Sequence, residues 1–270
     1  MNTISFMTAN FVAQQIDYAL TEGWGQGDTA TQRHFRPIDS FAERFEELLE
    51  SIAEMGFSAI DLWGAHLHPD WASEEHQQTA RALLDKYGFT VSSLATGVNS
   101  TLGDLARVCD IADAVGTQII GGGGALLTRE YDAVVGLLRE RGIKLAFENH
   151  PEKTPDEVLQ KIGPAADVIG VAIDTGWFGT QGYDAAHAVE MLADRVMLVH
   201  LKDVKGVGTH ETCRYGQGIV PVEQVVRVMQ SRGYTGGYSV EHEPELFDPT
   251  EDCRINLDML RGWLGRPLRG

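Results

Sequence analysis

The sequence predicts an α/β fold, a single (β/α)8 barrel spanning residues 1–270, and two observations carry that expectation. Eight short runs rich in Val, Ile, Leu and Phe alternate with amphipathic stretches along the chain. In addition, Thr96, Gly122, Glu148, Asp174 and His200 recur every 26 residues, about the length of one strand–helix unit. Alternation of this kind builds a parallel sheet. Eight such units in 270 residues favour closure into a TIM barrel over an open doubly wound sheet. In such a barrel the active site lies at the C-terminal ends of the strands.

The runs expected as strands are "TISFMTA", "SAIDLW", "TVSSLAT", "TQIIGG", "IKLAFEN", "IGVAIDT", "VMLVHLK" and "GYSVEHE". Helical patterns lie between them: "SFAERFEELLESIAEMG", "SEEHQQTARALLDKYG", "LGDLARVCDIADAVG", "EYDAVVGLLRERG", "AAHAVEMLADR" and "PVEQVVRVMQSRG". The first of these has an N-cap candidate at Ser40 and a stop at Gly56, and the others that end in Gly have C-caps there. The stretch Tyr18–Pro37 holds Gly23, Gly25 and Gly27 and shows no apolar period. A segment of that size without structure reads either as a lid or as a disordered surface excursion. "KDVKGVGTHETCRYGQGIVP" reads as an inserted loop after the seventh strand.

Composition narrows the function. A formal net charge of −17 repels phosphate backbones and anionic membranes, so neither nucleic acid nor a membrane is an expected partner. Cys109, Cys213 and Cys253 form no CxxC pair, which fits a reducing compartment. The N-terminus shows no signal-peptide pattern and no apolar segment is long enough to span a bilayer, so the expected location is cytoplasmic.

The late strands end on polar residues. Side chains alternate between the barrel interior and the helix layer. Glu148 shares parity with Ala146, Asp174 with Ala172 and Gly170, and Glu241 with Ser239 and Gly237, whereas the bulky residues face the other way. His200 shares parity with Leu198 and Val196, where the contrast is weak. All four polar side chains therefore point inward at one rim. Any one of them alone reads more readily as a loop-capping carboxylate or a satisfied core histidine. Together, three carboxylates and an imidazole in a low-dielectric mouth repel one another and drive their pKa values up unless a counter-charge is present. One divalent metal ion removes the conflict. A mostly oxygen ligand set with one nitrogen suits Mn²⁺ or Mg²⁺, with Co²⁺ or Zn²⁺ as alternatives.

At these residues the chain resembles the sugar isomerase/epimerase superfamily of xylose isomerase-like barrels. The matching motifs are "FENH" at 147–150, "AIDTGW" at 172–177, "VHLKDV" at 199–204 and "SVEHE" at 239–243, with "YGQGIVP" as a Gly-rich return before the seventh helix. The resemblance implies metal ligands at Glu148, Asp174, His200 and Glu241, and proton transfers by the two glutamates. It also implies a homo-oligomer, dimer or tetramer. At Trp177 the chain departs from the many members that have His there, which counts against a multinuclear zinc centre.

The chemistry these residues support begins with a ketose or keto-sugar held through its carbonyl and an adjacent hydroxyl, with the cation as Lewis acid and a cis-enediolate as intermediate. Glu148 and Glu241, with His150 as a further acid/base candidate, would move the proton. Return to the opposite face gives epimerisation, return to the neighbouring carbon gives isomerisation, and loss of a β substituent makes the enzyme a lyase. Candidate substrate contacts are Trp63, His66 and His68 in "DLWGAHLHPDW", Trp177, Lys202, and His210 and Arg214 in the seventh loop. The bland alternatives are a Trp filling the barrel, histidines capping a loop, and a solvated seventh loop. "GGGG" at 121–124 lacks a following GK[ST], so it reads as backbone approaching substrate rather than as a phosphate loop. The acidic "EHEPELFDP" favours a neutral small-molecule carbohydrate over a sugar phosphate. The expected function is therefore a metal-dependent carbohydrate isomerase or epimerase. The alternatives are a lyase of the inosose-dehydratase or 3-keto-glycoside (including C-glycoside) type, an endonuclease-like hydrolase, and a non-catalytic sugar-binding subunit.

Overall fold

The computed structural model describes residues 2–98 and 101–266. The strands are β1 (Ile4–Met7), β2 (Ala59–Trp63), β3 (Thr90–Ala95), β4 (Ile119–Gly121), β5 (Lys144–Glu148), β6 (Ile169–Asp174), β7 (Val196–Leu201), β8 (Asp203–Val204), β9 (Thr212–Cys213) and β10 (Gly237–Val240). All but β8 and β9 close into one barrel in the order β1-β10-β7-β6-β5-β4-β3-β2, so each apolar run expected as a strand is one. The pairs are parallel, with Asp174 on β6 opposite His200 on β7.

The helices are α1 (Trp24–Phe35), α2 (Ile38–Met55), α3 (Glu74–Tyr87), α4 (Leu102–Val115), α5 (Ala125–Arg129), α6 (Tyr131–Arg141), α7 (Pro155–Ile162), α8 (Thr175–Thr180), α9 (Ala185–Leu192), α10 (Val222–Ser231) and α11 (Thr250–Trp263). The strand parity expected from sequence holds. Leu145, Phe147, Val171, Ile173, Tyr238 and Val240 join the core shared with the helices. Ala146, Ala172 and Leu198 form a separate cluster inside the barrel. Full burial of each large apolar side chain stabilises the fold by roughly 1.5–3 kcal/mol, so the helix-facing shell dominates its stability.

Three expectations need correction. The segment 18–37 is neither a structureless lid nor a disordered surface excursion, because it contains α1. Its inward positions are Gly27, Thr31 and Phe35, a four-residue repeat in which only one side chain is a large apolar one. Gly27 is required there by close approach, since a Cβ on it would fall 2.2 Å from the Val12 carbonyl oxygen. Ser40 is not an N-cap. The apolar period of α2 already includes Ile38, and Pro37 takes the cap position with extended backbone. The inserted loop after β7 is partly ordered by the antiparallel β8–β9 pair. Asp203 ties that loop to the Gly-rich return by accepting from the backbone N–H groups of Gly216, Gly218 and Val220 at 2.9, 3.0 and 3.0 Å.

Gly27→Ala should therefore destabilise the protein by about 1–3 kcal/mol through overpacking. Gly25→Ala, on the open face with nothing within 4 Å, should be neutral or stabilise by up to about 1 kcal/mol. Denaturant midpoints of the pair check whether α1 is docked on the β1 loop.

Candidate active site

The polar strand ends converge because loops and caps hold them. Asn149, one residue past β5, donates through Nδ2 to the Asp174 carbonyl at 3.0 Å and accepts the Asp174 N–H at 2.7 Å. This pins the ends of β5 and β6 together. Asp174 also caps α8, its Oδ1 accepting the Trp177 N–H at 2.9 Å, which leaves Oδ2 facing the barrel mouth. Gly122 brings the end of β4 against β3: its φ is +137° and a Cβ would fall 2.3 Å from the Thr96 carbonyl oxygen.

Around this frame lies a dense charge cluster. His200 Nδ1 is 2.9 Å from Glu148 Oε1 and 3.4 Å from Glu241 Oε2. His200 Nε2 points the other way and lies 3.0 Å from Asp61 Oδ2. Asp61 is fully buried on β2 and accepts a hydrogen bond from Ser93. Lys202 Nζ lies 3.0 Å from Asp174 Oδ2, 2.8 Å from Glu241 Oε1 and 3.0 Å from Glu243 Oε2. His150 Nε2 is 3.1 Å from Asp174 Oδ2.

The charges displace one another's proton affinities. Burial resists ionisation of Glu148, but His150 and His200 outweigh it and bring its pKa down to about 2. Burial pushes Glu241 up to about 8; Asp174 and Glu243 add to that shift while Lys202 and His200 oppose it. Burial also opposes the charges on His200 and Lys202, yet their carboxylate partners hold both well above their usual values. Asp174 is held low against burial by Lys202 and His150.

Among the described residues, two groups of side chains have ligand atoms close enough together to share a metal ion: Glu148, His200 and Glu241, and Glu148, His150 and Asp174. Glu148 belongs to both. The four ligands expected from sequence thus fall into two overlapping sets, with Lys202 Nζ bridging Asp174 and Glu241. The donor set fits a divalent ion. Glu241 Oε2, His200 Nε2 and Asp61 Oδ2 are buried without an aligned hydrogen bond. A cation facing Glu241 Oε2 and His200 Nδ1 would satisfy the first and direct Nε2–H of the ring toward Asp61.

Trp63, Glu148, His150 and Glu241 line a cavity of about 670 Å³, together with Gly121–Gly124, Phe147 and Trp24. Trp177, Lys202, His210, Asp174 and His150 line an adjoining cavity of about 410 Å³. Three expected substrate contacts lie elsewhere in this structure. His66 is buried beside Thr8, its Nδ1 3.2 Å from Thr8 Oγ1, and burial lowers its pKa to about 3. His68 turns to Asp70 at 3.8 Å, and Arg214 to Asp252 at 3.7 Å. The sequence reading missed Asp61, Glu243 and Trp24. Asp61 and Glu243 share inward parity with Trp63 and Glu241 and were open to the same argument. Trp24 was hidden by the weak signal of α1.

The model of the xylose isomerase-like TIM barrel family matches residues 49–263. The chain belongs to that family. No curated protein sequence matches it significantly. Among solved structures, a xylose isomerase-like barrel from Mycobacterium smegmatis in complex with magnesium is 20% identical with a TM-score of 0.69, covering 84% of this chain and 90% of that one. L-ribulose 3-epimerase is 15% identical with a TM-score of 0.68, covering 98% and 95%. The probable 3-DHS dehydratase AsbF of Bacillus anthracis is 13% identical with a TM-score of 0.67, covering 96% and 98%. At these identities the likeness establishes the barrel fold. Among the described residues, no helix of this barrel is long and apolar enough to cross a membrane.

Two outcomes follow. Asp61→Asn removes the carboxylate behind His200 and should weaken Mn²⁺ affinity about 10- to 100-fold, read by calorimetric titration. A metal bound there would have to displace the proton that Glu241 carries below about pH 8 and the one that its carboxylate partners hold on His200 above the usual imidazole range. Mn²⁺ affinity should therefore rise by up to roughly a hundredfold per pH unit between pH 6 and 8, and by up to roughly tenfold per unit above that until His200 is neutral.

Proposed function

We propose that this protein is a divalent-metal-dependent carbohydrate isomerase or epimerase acting on a ketose or keto-sugar. The observation that carries the proposal is the pair Glu148 and Glu241, which come from the ends of different strands and flank His200 Nδ1 at 2.9 and 3.4 Å at the barrel mouth. Two carboxylates on opposite flanks of one site are placed to take a proton from one face of a substrate and return one drawn from solvent to the other. Glu148, ionised, would take the proton from a carbon next to the substrate carbonyl. Glu241, on the opposite flank, would deliver one to the resulting enediolate.

Glu148, Asp174, His200 and Glu241 would hold the metal. A divalent ion, Mn²⁺ or Mg²⁺ by its donor set, supplies Lewis acidity that makes such a C–H more acidic. Asp61 would fix the His200 ring. Lys202, held by Asp174, Glu241 and Glu243, would keep the carboxylates apart in charge and, once Asp174 turned to a metal, offer the freed N–H to a substrate oxygen. Gly121–Gly124 leave backbone free to approach the sugar, and Trp63 gives it an apolar face.

A lyase is the second reading, and His150 favours it. Its ring is 40% exposed and anchored to Asp174 at 3.1 Å, where it could protonate a leaving group.

Incubating the Mn²⁺-loaded protein with a ketose panel in D₂O tests the proposal by NMR. Solvent deuterium in an isomeric product is expected, and Glu148→Gln and Glu241→Gln should each slow its appearance by about 10²- to 10⁴-fold. Release of water or of an aglycone without isomeric product would favour the lyase. No exchange with any ketose would refute the proton-transfer reading.

A further inference from the structure

Strand β1 ends on Met7, and the chain passes at once into a 3₁₀ turn over Thr8–Phe11. Its neighbours run on. β1 is paired with β2 as far as Met7 and Asp61, and with β10 as far as Phe6 and Val240. Glu241 follows Val240 directly, so it stands where the β1 backbone has already turned away. On its other side β7 holds it, the Glu241 N–H donating to the Leu201 carbonyl at 3.0 Å. Val240 and His242, before and after it, are fully buried, and buried backbone groups on the β1 side also need partners.

Side chains of the turn supply them. Thr8 Oγ1 accepts the Trp63 N–H of β2 at 2.8 Å. Asn10, fully buried, donates through Nδ2 to the Val240 carbonyl at 3.0 Å and accepts the His242 N–H through Oδ1 at 2.8 Å. In a parallel ladder, a residue opposite a given position bonds to the carbonyl just before that position and the N–H just after it. The Asn10 carboxamide therefore makes the two bonds of a strand residue opposite Glu241. The chemistry of the position is narrow: an ionised Asp only accepts, a Ser or Thr hydroxyl is a single group, and Gln is one methylene longer. The clamp is itself anchored. Asn10 Nδ2 also reaches Cys253 Sγ on α11 at 3.5 Å, and the His242 ring lies 2.9 Å from Thr212 Oγ1 on β9. Asn149 grips both backbone groups of Asp174 in a related way.

We propose that Asn10 is the positioning residue for Glu241: its side-chain amide replaces the departed β1 backbone and fixes the point from which the Glu241 carboxylate reaches His200 Nδ1. Asn10 touches neither that carboxylate nor the cavity and acts only through the backbone on each side of it. This inference rests on the reading of Glu241 as a metal ligand and proton carrier, and adds the residue that places it.

The test compares the full-length wild type with Asn10→Ala and with Asn10→Leu, which removes both bonds without opening a cavity. Leu138→Ala, in the buried core under α6, controls for lost stability alone. Hydrogen exchange of the His242 amide is read by NMR on metal-free protein, and Mn²⁺ affinity by calorimetry. In both Asn10 variants the His242 amide should lose about tenfold or more of its protection relative to the amides of β6. Their Mn²⁺ affinity should fall about tenfold, as for other residues that orient a ligand from behind, while Leu138→Ala keeps the wild-type affinity. In the metal-free crystal structure of Asn10→Leu, Glu241 should have moved away from His200. Unchanged protection of the His242 amide overturns the clamp whether or not metal binds. Wild-type Mn²⁺ affinity in the Asn10 variants, or an equal fall in Leu138→Ala, overturns the positioning role. A wild-type protein that binds no Mn²⁺ refutes the metal reading alone; the His242 exchange and the place of Glu241 in Asn10→Leu then decide the clamp.

Discussion

Charge balance in a confined space governs this barrel mouth. Asp61, Glu148, Asp174, Glu241 and Glu243 converge on His200 and Lys202 inside a ring of strands whose interior also holds the apolar cluster of Ala146, Ala172 and Leu198. Breaking one partner out of such a cluster leaves an uncompensated buried charge, at a cost of about 3–5 kcal/mol. The cluster must therefore be held by cations at every stage. His200 and Lys202 do this within the chain itself, and a divalent ion would do it with greater charge at Glu148, His200 and Glu241. The frame that keeps the acids close is rigid: Asn149 pins β5 to β6, Asp174 caps α8, and Asp203 gathers the Gly-rich return.

The same residues hold the fold and shape the site. Asp174 gives one carboxylate oxygen to the α8 cap and the other to the mouth. Its structural role does not compete with its chemical one; the cap fixes where the free oxygen points. Asp61 acts in the same way at one remove, set by Ser93 and aimed at the far nitrogen of His200. With that nitrogen engaged, Nδ1 is left to face the two glutamates.

Much of this was legible in the sequence. Barrel strands are buried on both faces, so they read as continuous apolar runs, and every expected strand is present. Period-two parity placed Glu148, Asp174, His200 and Glu241 inward because strand geometry continues to the rim. Parity fails where a turn follows the strand directly. After Trp63 the chain makes a 3₁₀ turn over Gly64–His66, which folds His66 back toward Thr8 and Phe35 and away from the cavity. Arg214 is likewise drawn to Asp252 near the start of α11, a partner remote in sequence. Helix α1 escaped notice because a close-packed Gly27 and a buried Thr31 occupy the positions where large apolar residues would signal a helix face. With α1 went Trp24, which packs on Trp63 at 5.0 Å and borders both cavities.

Anomalous diffraction from crystals equilibrated with Mn²⁺ tests the central claim most directly. The account predicts one peak at the barrel mouth, about 2.0–2.2 Å from Glu148, His200 Nδ1 and Glu241, with Asp174 Oδ2 released from Lys202 to join them. A mouth without a peak, in which Lys202 still bridges Asp174 and Glu241 at saturating Mn²⁺, would contradict it.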